Sequence, residues 1–148
     1  MNTQRTTCLA AMRSTLALLA FCSVADATGP EASPLKDDYK ALQSPQGFWT
    51  KSTGKGKTEL HFKGKQFPKL EVTITELVPG GKGLVPKESF KVGAVVQEKD
   101  GKRVLVIEGT AIAYGFRQGR DFLVLKGEFE HKKKRINLTG NWGSTLFK

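Results

Sequence analysis

Apolar and polar side chains alternate along most of the chain after Gln46. In residues 70–75 (LEVTIT) every second side chain is apolar, which is the period of a strand with one buried face. Residues 103–108 and 121–126 are instead apolar on both faces. The pattern predicts about eight short strands, at residues 47–52, 57–63, 70–75, 90–96, 103–108, 111–116, 121–126 and 136–142.

Glycine-containing joints separate these strands and are too short to hold the crossover helix that parallel strands need. They predict antiparallel hairpins, and Asp100-Gly101 is the strongest signal because a type I′ turn requires positive φ at both central residues. Eight up-and-down strands close into a barrel and leave no exposed sheet edge. We therefore predict an all-β fold, a small up-and-down antiparallel barrel preceded by a short helix, with a β-sandwich as the alternative.

The N-terminal residues 1–27 have the pattern of a secretory signal peptide. Residues 14–24 (STLALLAFCSV) are apolar, and Ala25-Asp26-Ala27 places small residues at the two positions that a signal peptidase inspects. The apolar run is too short for a membrane-spanning helix. We expect cleavage after Ala27 and a secreted or periplasmic protein with no transmembrane segment in the mature chain.

The mature chain is expected to consist of a linker with a short helix (residues 28–45) and a β-barrel domain (residues 46–148). Pro34 suits the first position of that helix. Both cysteines, Cys8 and Cys22, lie in the leader, so the mature domain has neither disulfide bonds nor thiolate metal ligands.

The chain is strongly basic, with a formal net charge of +10. The leader carries Arg5, Arg13 and Asp26, so its removal leaves the domain with a charge of about +9. Basic residues cluster in the first two hairpins and again just before the last strand. Because the first and last strands of a closed barrel are neighbours, these clusters predict one basic patch, formed by Lys55, Lys57, Lys63, Lys65, Lys132, Lys133, Lys134 and Arg135.

A patch of this kind binds phosphates, sulfates or carboxylates with strong salt dependence. It predicts an acidic polysaccharide or an envelope surface as partner. Nucleic acid is an unlikely partner because stacking aromatic residues are not interleaved with these lysines. A solvated basic face without a partner is the alternative interpretation.

Three features together resemble the lipocalin or calycin superfamily, most closely the compact lipocalin-like domains of secreted bacterial proteins. A short helix precedes the first strand, that strand opens with Gly47-Phe48-Trp49 in the Gly-x-Trp pattern of the family, and an eight-strand meander follows. The resemblance covers about residues 35–148. The chain is shorter than full-length lipocalins and has no cysteine pair and no predicted C-terminal helix.

The resemblance implies a non-enzymatic protein that binds a small apolar or anionic ligand in the barrel. In that family the tryptophan packs across the closed end beneath a late basic side chain. By position, Gly47 and Trp49 supply the first part of this barrel-closing motif, and Arg135 or a neighbouring lysine supplies the basic side chain. Inward aromatic residues would line the ligand site, with two arginines at one rim. The residues so assigned are Phe90, Tyr114, Phe116, Trp142, Arg117 and Arg120. The same inward residues are also compatible with a barrel that is simply full.

Catalytic patterns are missing from the sequence. Residues 54–58 (GKGKT) resemble a phosphate loop, but Lys51 occupies the position where the pattern needs glycine, and no helix follows. The two histidines, His61 and His131, are far apart in sequence and have no obvious metal-binding or nucleophilic partners. We predict no enzymatic activity, no metal and no cofactor.

The strands that are apolar on both faces need a cover outside the barrel, such as the short helix, a second copy of the chain or a ligand. We expect the helix to be this cover, with a homodimer as the next alternative. A structural or interaction domain, monomeric or homodimeric, is therefore a third interpretation. Asn137-Leu138-Thr139 is a glycosylation sequon, meaningful if the source is eukaryotic.

Overall fold

The computed structural model describes residues 34–43 and 48–144. The predicted leader, the linker up to Ser33 and Gly47 of the barrel-closing motif lie outside the described residues, so what was expected of them stays a prediction. One helix, α1, spans Pro34–Gln43. The strands are β1 (Trp49–Thr53), β2 (Gly56–Gln66), β3 (Lys69–Gly80), β4 (Gly83–Lys99), β5 (Lys102–Ile107), β6 (Thr110–Arg117), β7 (Phe122–Lys126), β8 (Glu128–His131), β9 (Lys134–Asn137) and β10 (Gly140–Ser144).

Eight of these strands form one closed antiparallel barrel in the order β1-β10-β7-β6-β5-β4-β3-β2. The closing ladder joins the first strand to the last, with Trp49 opposite Ser144. The predicted up-and-down barrel with one short helix before it is confirmed, and the β-sandwich alternative is wrong. Asp100 and Gly101 have φ values of 52° and 68°, the positive angles that a type I′ turn requires.

The predicted last strand, residues 136–142, is divided in the structure. β10 belongs to the barrel, whereas β9 pairs with β8 in a separate two-stranded hairpin. The side-chain oxygen of Asn137 accepts a hydrogen bond from Thr139 N–H at 2.8 Å, and this Asx turn interrupts the strand. Leu138 N–H donates to the Gly127 carbonyl at 3.1 Å and closes the base of the hairpin.

The antiparallel order places alternate turns at the two ends of the barrel. The helix end carries α1 and the turns β2–β3, β4–β5 and β6–β7, while the hairpin end carries the β8–β9 hairpin and the turns β1–β2, β3–β4 and β5–β6. Gln43 joins α1 to the helix end, because its side-chain oxygen accepts from Gly64 N–H at 2.7 Å. The rings of Tyr39 and Phe67 meet edge to face beside it. These contacts place α1 across a barrel end, not over the outer faces of β5 and β7 that it was expected to cover.

The barrel interior is filled by the protein's own side chains. Nineteen buried residues of the described ranges form one apolar cluster, to which every barrel strand contributes. The largest are Trp49 and Trp142, which are 2% and 1% exposed. α1 adds Leu42 at the helix end, and the β8–β9 segment adds Phe129 and Leu138. Elements outside the barrel wall therefore complete the core at both of its ends.

A large-to-small substitution tests this packing. Leu60 on β2 is 0% exposed, so Leu60→Ala is expected to lower the free energy of unfolding by about 2–5 kcal/mol through lost burial and an unfilled cavity. Lys63→Ala, on the outer face of the same strand, is the control and should change it by less than about 0.5 kcal/mol. Urea denaturation of both variants measures the difference. A loss below about 1 kcal/mol for Leu60→Ala would mean that the interior already contains space.

Candidate functional site

A buried carboxylate organises the helix end. Asp38 of α1 is 0% exposed, and Tyr114 of β6 donates its hydroxyl proton to Asp38 Oδ2 at 2.9 Å. The guanidinium of Arg103 on β5 lies 3.3 Å from the same oxygen, and Nη2 of Arg120 in the β6–β7 turn lies 3.6 Å from Oδ1. Tyr114 and Arg120, which were predicted to contact a ligand, are therefore engaged with a carboxylate of the chain itself.

The Asp38 contact also sets the protonation state of Tyr114. Burial, followed by the hydrogen bond to Asp38 and the negative charge of that carboxylate, raises the pKa of Tyr114 well above its usual value of 10.0, and the two arginines offset part of the rise. The phenol is consequently a proton donor across the whole physiological range. Its role here is to bind Asp38 and so attach α1 to the barrel wall.

Aromatic side chains fill the space beneath α1. The indole N–H of Trp49 donates to the Leu42 carbonyl at 2.8 Å, so the tryptophan is tied to the last turn of the helix. The ring of Phe116 lies 6.3 Å from that of Trp49, and the guanidinium carbon of Arg120 lies 5.7 Å from the Phe116 centroid. A basic side chain thus covers this aromatic cluster, and it comes from the β6–β7 turn.

The structure does not bring Arg135 to Trp49. Arg135 lies on β9 at the hairpin end, where its exposed guanidinium is 3.4 Å from Glu128. The reason is that residues 128–137 form their own hairpin and are not part of the last barrel strand.

The β8–β9 hairpin lies across the opposite end of the barrel. The ring of His131 stacks on Phe90 of β4 at a centroid distance of 4.7 Å and an interplanar angle of 10°. Its Nδ1 is 3.7 Å from Glu108 in the β5–β6 turn. Lys134 pairs with Glu88 of β4 and thereby lowers the pKa of that carboxyl. The hairpin is thus attached to two other parts of the barrel rim.

Two depressions lie along this hairpin. One, of about 150 Å³, reaches inward to Ile74, Phe90 and Leu138. The other, of about 280 Å³, lies between β4 and the hairpin and is lined by Ser89, Phe90, His131, Lys132, Lys134 and Ile136 among others.

The predicted ligand-lining residues are therefore divided between the two ends. Phe90 faces the hairpin end, whereas Tyr114, Phe116 and Arg120 lie at the helix end, as does Arg117, which is exposed at the end of β6. Trp142 is in the core, where its N–H donates to the Leu138 carbonyl at 3.0 Å and Lys51 Nζ lies 5.6 Å from its ring centroid.

The predicted basic patch is divided in the same way. Lys63 and Lys65 lie near the β2–β3 turn at the helix end, where Lys65 pairs with Glu71 at 3.0 Å and, together with Lys91, lowers the pKa of that carboxyl. The other six residues lie at the hairpin end. Of these, Lys134 and Arg135 pair with carboxylates, whereas four make no ion pair with any residue that the structure describes. These four, the hairpin-end lysines, are Lys55, Lys57, Lys132 and Lys133.

The two groups of hairpin-end lysines are on neighbouring elements. Thr58, which follows Lys57 on β2, lines the same depression as Arg135 on β9. Lys132 and Lys133 form the tip of the β8–β9 hairpin with φ values of 47° and 66°. The lysines of the β1–β2 hairpin and those of the β8–β9 hairpin therefore lie at the same end of the barrel.

Asp38 was not predicted as a core residue, although the sequence contains a signal for its burial. Asp38, Ala41 and Leu42 occupy positions i, i+3 and i+4 of the helix, and all three are buried. The spacing puts the carboxylate on the apolar face of α1. The β8–β9 hairpin was missed because its residues continue the alternation of the flanking strand.

In the described ranges, no three histidine, cysteine or acidic side chains are grouped closely enough to hold a metal ion. Likewise, no helix among those residues is both long and apolar enough to cross a membrane.

The chain matches no model of a known protein family, no curated protein and no solved structure. A closed antiparallel eight-stranded barrel is consistent with the lipocalin and calycin architecture, but it is not specific to it. What is established is accordingly the small β-barrel fold.

The Asp38–Tyr114 contact predicts a pH dependence of stability. Because folding raises the pKa of Tyr114, the stabilisation is fully present below about pH 10, the unfolded value, and is lost as the pH rises above it. As the pH rises above about 10, we expect the free energy of unfolding of the wild type to fall more steeply than that of Tyr114→Phe. The difference in slope should be up to about 1.4 kcal/mol per pH unit. Urea denaturation between about pH 6 and pH 11.5 measures this. Below about pH 8 the difference between the two proteins should be constant, and equal slopes above pH 10 would contradict the assigned hydrogen bond.

Proposed function

We propose that this protein is an exported, non-enzymatic binding protein that holds an acidic polysaccharide or a similar polyanion on its hairpin-end lysines. The observation that carries the proposal is the concentration of Lys55, Lys57, Lys132 and Lys133 at one barrel end without acidic partners among the described residues. Export is inferred from the N-terminal sequence alone.

The packing of the barrel supports a ligand on the surface. Side chains of the chain itself fill the interior, and the buried Asp38 network occupies the helix end. A ligand that enters the interior has to displace Phe129 or Leu138, whose burial stabilises the fold. Binding at the turn tips needs no such change.

The charges of the hairpin end favour a flexible polyanion. Exposed lysines keep long, mobile side chains, so they follow a chain of carboxylates or sulfates without a preformed pocket. The exposed aromatic side chains of the described residues, Phe48, Phe67 and Phe122, lie at the helix end. The aromatic pair beside Lys132, Phe90 and His131, is only partly exposed and its rings are stacked on each other, which favours polysaccharide over nucleic acid.

The double variant Lys132→Asn and Lys133→Gly tests the proposal without disturbing the fold. It removes two charges, and asparagine followed by glycine is the preferred pair for a two-residue turn with positive φ. We expect its affinity for dextran sulfate or polygalacturonate to fall about tenfold at low salt. The matched control, Lys99→Gln with Lys102→Gln, removes the same charge at the helix end and should stay close to wild type. Titration calorimetry measures both, with neutral dextran as the blank.

The salt dependence of polyanion binding is the second part of this test. Several contacts to a polyanion predict a loss of about tenfold or more in affinity between about 50 and 200 mM salt. Binding that survives about 0.5 M salt, or an equal loss in both double variants, would refute the hairpin-end site.

A second candidate is a small apolar or anionic ligand at the barrel mouth. The depression of about 150 Å³ favours it, because this space connects the surface at Lys134 and Arg135 with inward-facing Ile74, Phe90 and Leu138. Its volume is below that of most drug-sized ligand sites, so a ligand of a few heavy atoms or a partial opening of the hairpin is implied.

Native mass spectrometry of the protein purified from its own source tests the second candidate. A carried ligand is expected as extra mass that disappears under denaturing conditions, and Phe90→Trp, which fills the depression, should reduce it. A bare monomer in the native spectrum would count against a resident ligand and leave the surface site as the function.

A further inference from the structure

β4 has an unpaired edge at the hairpin end. It is the longest described strand, with 17 residues, and β3 pairs with it along nearly its whole length. β5 pairs only with its last part, from Ala94 to Lys99. β5 ends at Ile107, and the chain then turns away at Glu108 and Gly109. Among the described residues, the part of β4 before Gly93 therefore has no strand on this side.

The register shows which backbone groups face this edge. The two-residue turn at Asp100 and Gly101 makes Lys99 and Lys102 a hydrogen-bonded pair, and such pairs then recur at every second residue of β4. Continued along the strand, the same alternation directs the N–H and C=O groups of Ser89 and Lys91 to the unpaired side. Those of Phe90 and Val92 face β3, opposite Ile74 and Val72.

The β8–β9 hairpin borders this edge without pairing to it. Its tip is held by the His131–Phe90 stack and by the Lys134–Glu88 ion pair, both of which are side-chain contacts. No backbone hydrogen bond links β4 to β8 or β9 in the described part of the chain. The depression of about 280 Å³ lies in the gap and includes Ser89 in its lining.

We propose that this edge of β4 binds an extended, acidic peptide segment of a partner protein by strand addition. An added strand satisfies the free backbone groups of Ser89 and Lys91, as in other cases of recognition at a sheet edge. The surrounding charge favours acidic side chains, since Lys132 has no carboxylate partner among the described residues and Lys91 shares Glu71 with Lys65, whereas Lys134 and Glu88 neutralise each other. This site shares Lys132 with the hairpin-end lysine site proposed above, but it differs from that site in its backbone recognition, because a polysaccharide has no donors and acceptors at strand spacing.

The depression beside Ser89 gives the peptide a side-chain pocket. Successive side chains of an added strand point to opposite faces, so every second one is directed toward the hairpin. The stacked rings of Phe90 and His131, with Ile136, supply an apolar floor, and the rim is formed by Lys132 and by the paired Lys134 and Glu88. A peptide in which glutamate alternates with valine matches this arrangement.

Hydrogen exchange followed by NMR tests the free edge first. In the protein alone, the amides of Ser89 and Lys91 are expected to exchange fast and those of Phe90 and Val92 slowly. Addition of a blocked five-residue peptide of alternating glutamate and valine should slow the first pair about tenfold or more. Slow exchange of Ser89 and Lys91 in the free protein would refute the open edge.

Variants at position 89 then test strand addition. Ser89→Pro removes the N–H on the open side, and β4 already contains Pro86, so the strand accommodates proline. It should weaken peptide binding about tenfold or more. The control Ser89→Ala loses only the hydroxyl contact with Thr75, 3.0 Å long, and should bind like the wild type.

Two further comparisons keep the result interpretable. If Ser89→Pro fails to fold, the same peptide N-methylated at alternate residues is added to the wild type and should not bind.

A peptide in which lysine replaces glutamate should bind at least about tenfold more weakly. Equal binding of the two peptides would overturn the acidic specificity, and unchanged binding after N-methylation would overturn strand addition. Ser89→Pro should leave polyanion binding intact, which separates this site from the hairpin-end lysine site.

Discussion

In the part of the chain that the structure describes, the architecture depends on one buried carboxylate. Asp38 is removed from solvent, and its charge is balanced by Arg103, Arg120 and the hydroxyl of Tyr114, which come from β5, the β6–β7 turn and β6. A buried charge without partners is strongly destabilising, so these groups hold α1 in one position. The position of α1 in turn brings Leu42 onto Trp49 and closes the helix end. Residues that looked suited to ligand binding are thereby used for structure.

Closure of the helix end makes the two ends of the barrel different. At the hairpin end the closing element is a β-hairpin, which contributes Phe129 and Leu138 to the core but is attached at its tip by His131 and Lys134. Turns at this end carry lysines that have no carboxylate partner among the described residues. β5 pairs only with the last part of β4, so the earlier part of β4 has an unpaired edge. Free charge and free backbone hydrogen-bonding groups therefore occur together at this end, where both proposed interactions are located.

Much of the fold followed from local pattern. The period-two alternation identified the eight barrel strands, and the short glycine-containing joints identified their antiparallel order, because both are properties of neighbouring residues. The pattern failed at residues 136–142. There Ile136 and Leu138 continue the alternation, yet an Asx turn at Asn137 and the Gly127–Leu138 hydrogen bond break the strand. In the sequence, apolar residues that two different elements contribute to one core look the same as the apolar residues of a single strand. The pattern did not place the candidate ligand-lining residues along the barrel axis, since Phe90 and Tyr114 share an inward orientation but lie at opposite ends.

The sequence by itself determined which side chains face the core, where the chain turns and that the chain is basic, because these depend on residue type and on spacings of two to four residues. Tertiary structure alone decided which charges are neutralised. Lys65, Lys134 and Arg135 acquire carboxylate partners, whereas Lys132 and Lys133 have none among the described residues, although nothing in the lysine-rich segment distinguishes them. The physical reason is that an ion pair depends on which strands and turns the barrel brings within about 4 Å of each other. Barrel closure and the inserted hairpin set those distances, and they join residues far apart in the chain.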